Sequence, residues 1–331
     1  MPSVSIIVPT YNRPELLRRA LASCRGQTCR DFELIVVNDA GVDVAAIAAE
    51  FDAAYIPLAK NRGLAGARNA GVAQAQGIYL AFLDDDDLLL PEHLARLLAC
   101  ATPDTICYSD YWRVTADARI EQVTPEFDYE RILHENFIPV NCFLAPRELL
   151  VTVGSFDEWL TALEDWDLWL RLSRFCRFHH VAGATCEVHI GRPGESITTS
   201  HPFGFSWASL NILHKNMQLL SDRSEFVKRC GENALAALQH LKALLVRQLE
   251  SGGHDFSAIF GRHDLATAAA RLAELREVYR LHGTVFFEVE GYVQLLRGQP
   301  TDAQRCFEHA VAVDPTNHSA AAILTLLAAH R

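Results

Sequence analysis

The chain contains 331 residues, of which 50% are hydrophobic and 21% are charged, and its formal net charge is −11. This length corresponds to about two domains of roughly 150 residues each. The apolar content is high enough to bury sizeable cores, which excludes disorder as the main state. The acidic excess lies within residues 1–209, and neither part of the sequence carries the basic stripe that follows a phosphate backbone, which excludes nucleic acid as a partner.

The sequence gives no sign of a membrane-spanning or secreted chain. The longest nearly apolar run, at residues 320–329, is shorter than the ~20 residues needed to cross a bilayer. The N-terminus lacks the basic region, apolar stretch and cleavage site of a secretory signal. We therefore expect a cytoplasmic location, with peripheral attachment to the inner face of the membrane left open. The nine cysteines include no C-x-x-C pair, so we expect reduced core residues and not a disulfide framework or a zinc site.

The first hundred residues alternate between strand and helix patterns. Short β-branched runs predict strands at residues 4–8, 34–37, 56–58, 78–83 and 106–108. Apolar residues at helical spacing predict helices that begin at Pro14 and that cover residues 65–75 and 91–100. This alternation is typical of an α/β domain in which crossover helices join parallel strands.

The pattern changes along the rest of the chain. Residues 137–145, 156–175 and 176–188 are interpreted as strand, helix and strand. From about residue 210 to the end almost no strand signal remains, and amphipathic helical spacing is clear at residues 233–249 and 264–281. We therefore predict an α/β sheet domain at residues 1–209 and an all-α helical domain at residues 210–331.

Four consecutive aspartates, Asp84 to Asp87, follow the strand predicted at residues 78–83. They would lie at the carboxyl edge of a parallel sheet, where ligands of open α/β sheets bind. Adjacent carboxylates repel one another unless a cation compensates them, and hard oxygen ligands suit Mg²⁺ or Mn²⁺. The cluster therefore indicates a divalent metal that holds a phosphate, and a solvated acidic loop is the alternative.

Asp39 ends the strand at residues 34–37 and would lie at the same sheet edge. Its oxygens could accept a ribose hydroxyl or a base N–H, as acidic residues do in nucleotide-binding folds. The alternative is a turn-forming residue ahead of Gly41. Pro9 and Tyr11 end the first strand, and Tyr11 offers an aromatic face on which a base could stack.

Residues 61–71 read NRGLAGARNAG, a segment rich in small residues that allow close backbone approach. Arg68 could offer a fork of N–H donors to a diphosphate. The segment contains neither G-x-G-x-x-G nor G-K-[ST], which excludes the dinucleotide fingerprint and the P-loop.

Two further candidates lie later in the sheet domain. Glu164, Asp165 and Asp167 open an apolar helical run, and one of them could be a general base. The alternative is that they only complement the positive end of the helix dipole. His189 is expected in a loop that begins at residue 187, and a lone histidine is usually structural.

Taken in order, several segments of residues 4–200 resemble family 2 glycosyltransferases of the GT-A fold, a Rossmann-like α/β fold that binds nucleotide-diphosphate sugars. The matching segments are VSIIVPTYNR at 4–13, DFELIVVND at 31–39, NRGLAGARNAG at 61–71, FLDDDD at 82–87, and GSFDE at 154–158 followed by LEDWDLWLRL at 163–172. Several motifs in the family's order make the resemblance specific.

The resemblance implies a role for each candidate residue. Pro9, Tyr11 and Asp39 would contact the nucleotide base, and Arg68 would contact the diphosphate. Asp84 and Asp86 would form the D-x-D pair, with Asp84 toward the ribose, Asp85 also in the nucleotide site, and Asp86 closest to the metal. Asp165 would be the general base.

His189 matches a histidine that is the third metal ligand in many relatives, although Glu187 stands where the family has an arginine. A second resemblance lies in the helical region. Residues 284–317 are similar to a tetratricopeptide repeat, with small, bulky and proline positions filled by Gly291, Ala303, Phe307, Ala310 and Pro315. A helical surface of this kind suggests a protein partner or an acceptor site.

The resemblance implies inverting transfer of a sugar, a hexose first of all, from a nucleotide-diphosphate sugar to an acceptor hydroxyl, with Mn²⁺ or Mg²⁺ as cofactor. The acceptor stays open: it could be a glycan, as in polysaccharide biosynthesis, a lipid-linked glycan or a protein. A sugar nucleotidyltransferase would need a glycine-rich basic loop after the first strand, and residues 9–14 are not one. The other alternative is an inactive sugar-nucleotide-binding protein with a helical interaction module.

Overall fold

The computed structural model describes residues 1–133, 135–190, 204–217, 224–251, 257–260, 264–279 and 283–329. Their contacts divide the chain into two compact units, Met1–Ser200 and His201–Arg331. The boundary predicted between residues 209 and 210 falls inside a helix, Gly204–Met217, so the contacts divide the chain before that helix begins.

The first half of the sheet unit is a parallel α/β arrangement. Its strands are β1 Val4–Thr10, β2 Phe32–Asn38, β3 Ala54–Pro57 and β4 Tyr79–Phe82, and its helices are α1 Pro14–Arg25, α2 Ala45–Glu50 and α3 Gly63–Gln74. Strand β1 lies between β2 and β4 and is parallel to both. Every residue of β1 is buried, which explains why its sequence is apolar except for Ser5 and Thr10.

The second half of this unit turns the sheet into a mixed one. It comprises β5 Leu88–Leu89, α4 His93–Leu98, β6 Thr105–Val114, β7 Arg119–Gln122, α5 Tyr129–Ile132, a 3₁₀ turn Val140–Cys142, β8 Phe143–Pro146, α6 Arg147–Thr152, α7 Glu164–Leu172 and β9 Arg177–His189. Within the described residues the strand order is β3-β2-β1-β4-β8-β6-β9-β5, with β7 on β6. Strand β8 is antiparallel to β4 and β6, whereas β6 and β9 are parallel.

Two element predictions were wrong in part. The helix predicted at residues 156–175 covers only Glu164–Leu172, because the preceding residues form turns and Leu163 adopts a left-handed backbone with φ 59°. The strand predicted at residues 137–145 begins only at Phe143, because Pro139 leads into the 3₁₀ turn. The elements α2, β5 and β7 are too short to give a periodic signal.

The second unit is helical, as predicted. Its described helices are α8 Gly204–Met217, α9 Ser224–Ser251, α10 Ser257–Phe260, α11 Leu265–Tyr279, α12 Gly283–Leu296, α13 Pro300–Val313 and α14 His318–Ala329. Helices α12 and α13 pack closely, since a Cβ at Gly291 would lie 2.8 Å from the Phe307 ring. No helix in the described parts of the chain combines the length and apolarity that crossing a bilayer requires.

Gly71 fixes the seating of α3 on the sheet. A Cβ at this position would overlap Cγ2 of Ile7 in β1 and would lie 3.3 Å from Cγ2 of Val37 in β2. Both neighbours are buried, β-branched strand residues that cannot move aside. The small-residue segment therefore lets the helix backbone contact the sheet directly.

We expect Gly71→Ala to lower the free energy of unfolding by about 1–2 kcal/mol. Overpacking a tight core typically costs about 1–3 kcal/mol, which outweighs the gain of up to ~1 kcal/mol from replacing a helical glycine. Denaturant unfolding measures the change. Ala73→Ser, on an exposed position of the same helix, is the control and should change little. An unchanged or more stable Gly71→Ala protein would contradict the packing argument.

Candidate active site

The carboxyl ends of β1, β2 and β4 meet at one edge of the sheet, as their parallel registers require. Tyr11 follows β1, Asp39 follows β2 and Asp84 follows β4 with one residue between. The prediction that these side chains share an edge is therefore correct in topology. Tyr11 is 49% exposed, so its ring is accessible for stacking, whereas Pro9 lies in the buried part of β1.

Asp39 is buried and binds the start of α3. Its carboxylate accepts hydrogen bonds from the backbone N–H of Arg62 at 2.7 Å and of Gly63 at 2.9 Å. A carboxylate at this place satisfies N–H groups that have no partner within the helix and complements the helix dipole. Asp39 therefore joins β2 to α3, and its predicted contact with a nucleotide stays a prediction.

The four aspartates alternate between two environments. Asp84 and Asp86 are partly exposed, with side-chain exposures of 27% and 15%, whereas Asp85 and Asp87 are buried. Asp85 accepts hydrogen bonds from Oγ1 of Thr10 at 2.6 Å and from Arg13 at 3.1 Å. The pair that matches D-x-D thus faces outward. Asp85 faces inward, and its predicted contact with the nucleotide stays a prediction.

Asp87 links the aspartate turn to two other parts of the sheet unit. It accepts hydrogen bonds from Nδ2 of Asn141 and from the backbone N–H of His189, the latter at 2.7 Å. Asn141 also accepts the backbone N–H of Asp84 through its Oδ1 at 2.8 Å. One amide side chain therefore holds both ends of the turn.

Crowding of these carboxylates disfavours their ionised forms. Burial, together with the charges of Asp84 and Asp85, raises the pKa of Asp86 to about 7, although Arg13 opposes the shift from 3.3 Å. Burial raises the pKa of Asp85 despite the hydrogen bond from Thr10 and the charge of Arg13. Burial, reinforced by Asp86 and Asp84, raises the pKa of Asp87 well above its ordinary value. The turn therefore favours an added positive charge.

His189 ends β9 beside this turn. Its Nδ1 lies 3.7 Å from Oδ1 of Asp87, and its Nε2 lies 3.8 Å from Oε2 of Glu187. Glu187, at the position of the family's arginine, forms an ion pair with Arg119 at 2.7 Å. The placement of His189 in a loop was wrong, because pairing with β6 extends strand β9 to this residue. Its ring lies against Asp87 and Glu187, and its role as a metal ligand stays a prediction.

The donor set fits a hard divalent cation in its chemistry. Asp86 offers carboxylate oxygens and His189 an imidazole nitrogen, which suit Mn²⁺ or Mg²⁺, and burial together with the neighbouring aspartates raises the pKa of Asp86. Within the residues that the structure describes, no group of three His, Cys, Asp or Glu side chains is arranged to hold a metal. The metal assignment to Asp86 and His189 stays a prediction.

Asp165 lies at the N-terminus of α7 and is partly exposed. Its Oδ1 accepts hydrogen bonds from Nδ2 of Asn136 at 3.1 Å and from the backbone N–H of Trp166 at 2.8 Å. Burial and the charge of Glu164 raise the pKa of Asp165 to about 7, against the opposing effect of Arg68. A carboxylate with this pKa is suited to accept a proton near neutral pH.

Arg68 reaches the site from α3 and is 1% exposed. It binds Glu164 through one terminal nitrogen and Oδ1 of Asp84 through the other, the latter at 2.6 Å. Burial tends to lower the pKa of Arg68, but the attraction of Asp84, Glu164 and Asp165 outweighs it and raises that pKa. The predicted contact of Arg68 with a diphosphate stays a prediction, and in this structure both ends of its fork bind carboxylates.

Asp167, like Glu164 and unlike Asp165, is buried and paired with an arginine. It accepts a hydrogen bond from Nε of Arg171 at 2.9 Å. Arg171 in turn donates to the backbone carbonyls of Val153 and Ser155. Asp167 therefore anchors the loop before α7.

Three site residues were not singled out in the sequence. Arg13 pairs with Asp85 and Asp86, Asn141 holds the aspartate turn, and Asn136 binds Asp165. Arg13 lies in the VSIIVPTYNR segment, which gave a signal for it. Asn136 and Asn141 lie in a stretch without clear periodicity, and the sequence offers no signal for their partners.

Comparisons with known proteins agree with this architecture. The model of the family "Glycosyl transferase family 2" matches residues 5–138. The uncharacterized glycosyltransferase YwdF of Bacillus subtilis is 31% identical over 195 residues, which are 55% of this chain and 72% of that protein. The uncharacterized glycosyltransferase RT0329 of Rickettsia typhi is 32% identical over 259 residues, 70% of this chain and 81% of that protein. The chain belongs to glycosyltransferase family 2.

Solved structures support the fold. TarS 1-349 of S. aureus in complex with UDP-GlcNAc aligns with a TM-score of 0.58 at 17% identity, over 96% of this chain and 93% of that one. The mannosyltransferase PcManGT of Pyrobaculum calidifontis, in complex with GDP-Man and Mn²⁺, aligns with a TM-score of 0.52 at 17% identity, over 90% of this chain and 86% of that one. The predicted GT-A-like sheet domain followed by helices is thereby confirmed.

The raised pKa of Asp165 predicts a pH-dependent effect on stability. Because the folded-state pKa is about 7 and an unfolded aspartate titrates near 4, ionisation costs stability as pH rises through this window, and the cost is complete above it. We expect Asp165→Asn to raise the free energy of unfolding at pH 8 by a few kcal/mol at most, and to raise the thermal unfolding midpoint with it. The difference should vanish near pH 4.

Thermal unfolding at several pH values measures this effect. Asp117→Asn makes the same charge change at an exposed position and should shift the midpoint little at any pH. A destabilised Asp165→Asn protein at pH 8 would show that Asp165 is not penalised by its surroundings.

Proposed function

We propose that this chain transfers a sugar, a hexose in the first instance, from a nucleotide-diphosphate sugar to an acceptor hydroxyl with inversion. Asp165 is the general base, and Asp86 with His189 holds a divalent cation. The observation that carries the proposal is the shared guanidinium of Arg68, which binds Asp84 of the aspartate turn and Glu164 next to Asp165. A partly exposed carboxylate with a pKa of about 7 is thus joined by one side chain to the edge that carries D-x-D.

Binding of the donor is assigned to the loops after β1 and β2. The exposed ring of Tyr11 stacks on the base, while Pro9 and Asp39 form the adjoining wall. The two outward carboxylates, Asp84 and Asp86, approach the ribose and the cation. The complexes of TarS with UDP-GlcNAc and of PcManGT with GDP-Man and Mn²⁺ support a nucleotide sugar as the class of donor.

The chemistry follows from the charges of the site. Asp165 accepts the proton of the acceptor hydroxyl through its partly exposed carboxylate, which raises the nucleophilicity of that oxygen. Asn136 and the N–H of Trp166 fix the direction of the carboxylate. A divalent cation, when bound, stabilises the negative charge of the departing diphosphate. Inversion of the anomeric centre is carried over from the family resemblance.

The competing proposal is a protein that binds nucleotide sugars without transfer. The acidic groups of the aspartate turn and of the start of α7 are both intact, which favours an enzyme. A protein that only binds a nucleotide sugar has no use for a base such as Asp165, with a pKa of about 7. The helical unit contains a packed pair, α12 and α13, in which Gly291 lies against the Phe307 ring, and its resemblance to a tetratricopeptide repeat stays a prediction. Its role as a surface for a partner or acceptor stays a prediction. Release of UDP or GDP from nucleotide sugars separates the two proposals.

We expect Asp165→Asn to lower turnover by about 10²–10⁴-fold while the dissociation constant for UDP or GDP with Mn²⁺ stays nearly unchanged. Asparagine keeps the shape and the hydrogen bond from Asn136 but cannot accept a proton. Turnover is measured as release of nucleoside diphosphate from nucleotide sugars, and binding by calorimetry.

Asp167→Asn is the matched control on the same helix, since Asp167 binds Arg171 and has no role in the reaction. Assayed well below its melting temperature, it should keep most of its turnover. Wild-type turnover in Asp165→Asn would remove Asp165 from the role of base.

We also expect UDP and GDP to bind weakly without a divalent cation, because Asp84 and Asp86 then repel the phosphates. Calorimetry with Mn²⁺ and with chelator measures the dependence. Asp86→Ala should abolish it and leave the fold intact, and Asp117→Ala should retain it. Equal affinity in Mn²⁺ and in chelator for the wild-type protein would refute the metal site.

A further inference from the structure

Arg68 is one of the most deeply buried charged side chains among the described residues of the sheet unit. Its guanidinium carbon lies 5.4 Å from the centroid of the Phe156 ring. Burial of a cation is costly unless partners compensate it. The partners of Arg68 therefore explain why the chain holds it there.

Those partners come from two different segments of the proposed site. One terminal nitrogen binds Asp84, the first residue of the aspartate turn after β4, and the other binds Glu164, the first residue of α7. Asp84 and Glu164 are far apart in sequence and are not paired by the sheet. A rigid planar fork fixes the spacing between two carboxylates, which a lysine cannot do.

Asp165 also feels the charge of Arg68. Burial and Glu164 act to raise the pKa of Asp165, whereas Arg68 and the hydrogen bond from Asn136 act to lower it. Among the described residues, the charged groups that act most on Asp165 are Glu164 on its own helix and Arg68 on α3, and Asn136 faces it from the segment after α5 without a charge. Loss of Arg68 would leave Asp165 with a repelling neighbour and no compensating cation.

We propose that Arg68 is a positioning residue that ties the donor-side Asp84 to the Glu164–Asp165 pair, and that it does not contact the diphosphate. The inference rests on the proposed function of Asp165. It departs from the role that the family resemblance implied, because both ends of the guanidinium bind carboxylates and almost none of its surface is exposed.

The test compares the full-length chain with Arg68→Gln, Arg68→Lys and Glu164→Gln. Titration of ¹³C-labelled aspartate carboxyls by NMR reads the Asp165 midpoint, which is assigned by its loss in Asp165→Asn. Arg68→Gln should raise this midpoint and Glu164→Gln should lower it, each by about one pH unit. A role in packing alone would not shift the midpoint in opposite directions.

The second readout is the affinity for UDP with Mn²⁺. If Arg68 only positions other groups, Arg68→Gln changes the dissociation constant less than about threefold and lowers turnover of a nucleotide sugar such as UDP-GlcNAc or GDP-mannose at neutral pH. If Arg68 binds the diphosphate, the dissociation constant rises about tenfold or more. That result, with an unchanged Asp165 midpoint, overturns the proposal.

Arg68→Lys and Glu164→Gln keep the test decisive if Arg68→Gln does not fold. The lysine retains the charge without the fork, so the Asp165 midpoint should stay near that of the wild type while turnover falls. A lysine variant with full turnover, or a glutamine at position 164 that leaves the midpoint unchanged, contradicts the proposal. The titration needs no activity, so it stands apart from a failure of the proposed function, which would appear as wild-type turnover in Asp165→Asn.

Discussion

Repulsion among carboxylates at one edge of the sheet is the constraint that organises the sheet unit. Asp84 to Asp87 occupy four successive positions, and Glu164 and Asp165 approach the same guanidinium as Asp84. The chain relieves the repulsion by turning Asp85 toward Thr10 and Arg13 and Asp87 toward Asn141. The negative charge of Asp86 is compensated only in part, and its pKa is raised to about 7. An edge left partly uncompensated is one that a cation can complete.

Helix α3 holds the segments of the site in position through its hydrogen bonds. Its first N–H groups bind Asp39, Arg68 binds both acidic segments, and Asn69 exchanges hydrogen bonds with the backbone of Phe156. The absence of a side chain at Gly71 lets the helix backbone lie directly against Ile7 of β1, which fixes the position of α3 on the sheet. Five non-glycine residues among those described have positive φ, and three of them adjoin the site segments: Asn12 after β1, Ala40 after Asp39 and Leu163 before α7, with φ of 57°, 62° and 59°. Each such residue costs on the order of 1–3 kcal/mol and persists only where its surroundings hold it.

The strands and helices that were predicted correctly are those whose structure is determined by the local pattern of apolar residues. The buried strands β1, β2 and β4 have unbroken apolar runs, and helix α1 has proline at its start and one apolar face, so their sequences indicate their structures. The turns before α7 could not be predicted, because Asn69 and Arg171 hold them through contacts distant in sequence. For the same reason the sequence identified Asp84, Asp86 and Asp165 but not Asn136 or Asn141. The two carboxylate partners of Arg68 could not be predicted either, because they depend on the burial of this side chain, which composition does not reveal.

The first turn of α7 illustrates how helical geometry gives neighbouring acids different roles. Successive residues point about 100° apart, so Glu164, Asp165 and Asp167 cannot share one partner. Glu164 binds Arg68 and Asp167 binds Arg171, and both pairs are largely removed from water. Among the described residues, Asp165 accepts hydrogen bonds from Asn136 and a backbone N–H, stays partly exposed, and has a pKa near neutrality. The two acids paired directly with arginine hold the helix in place, and the third, whose charge Arg68 offsets only in part, is the one suited to exchange a proton with a substrate.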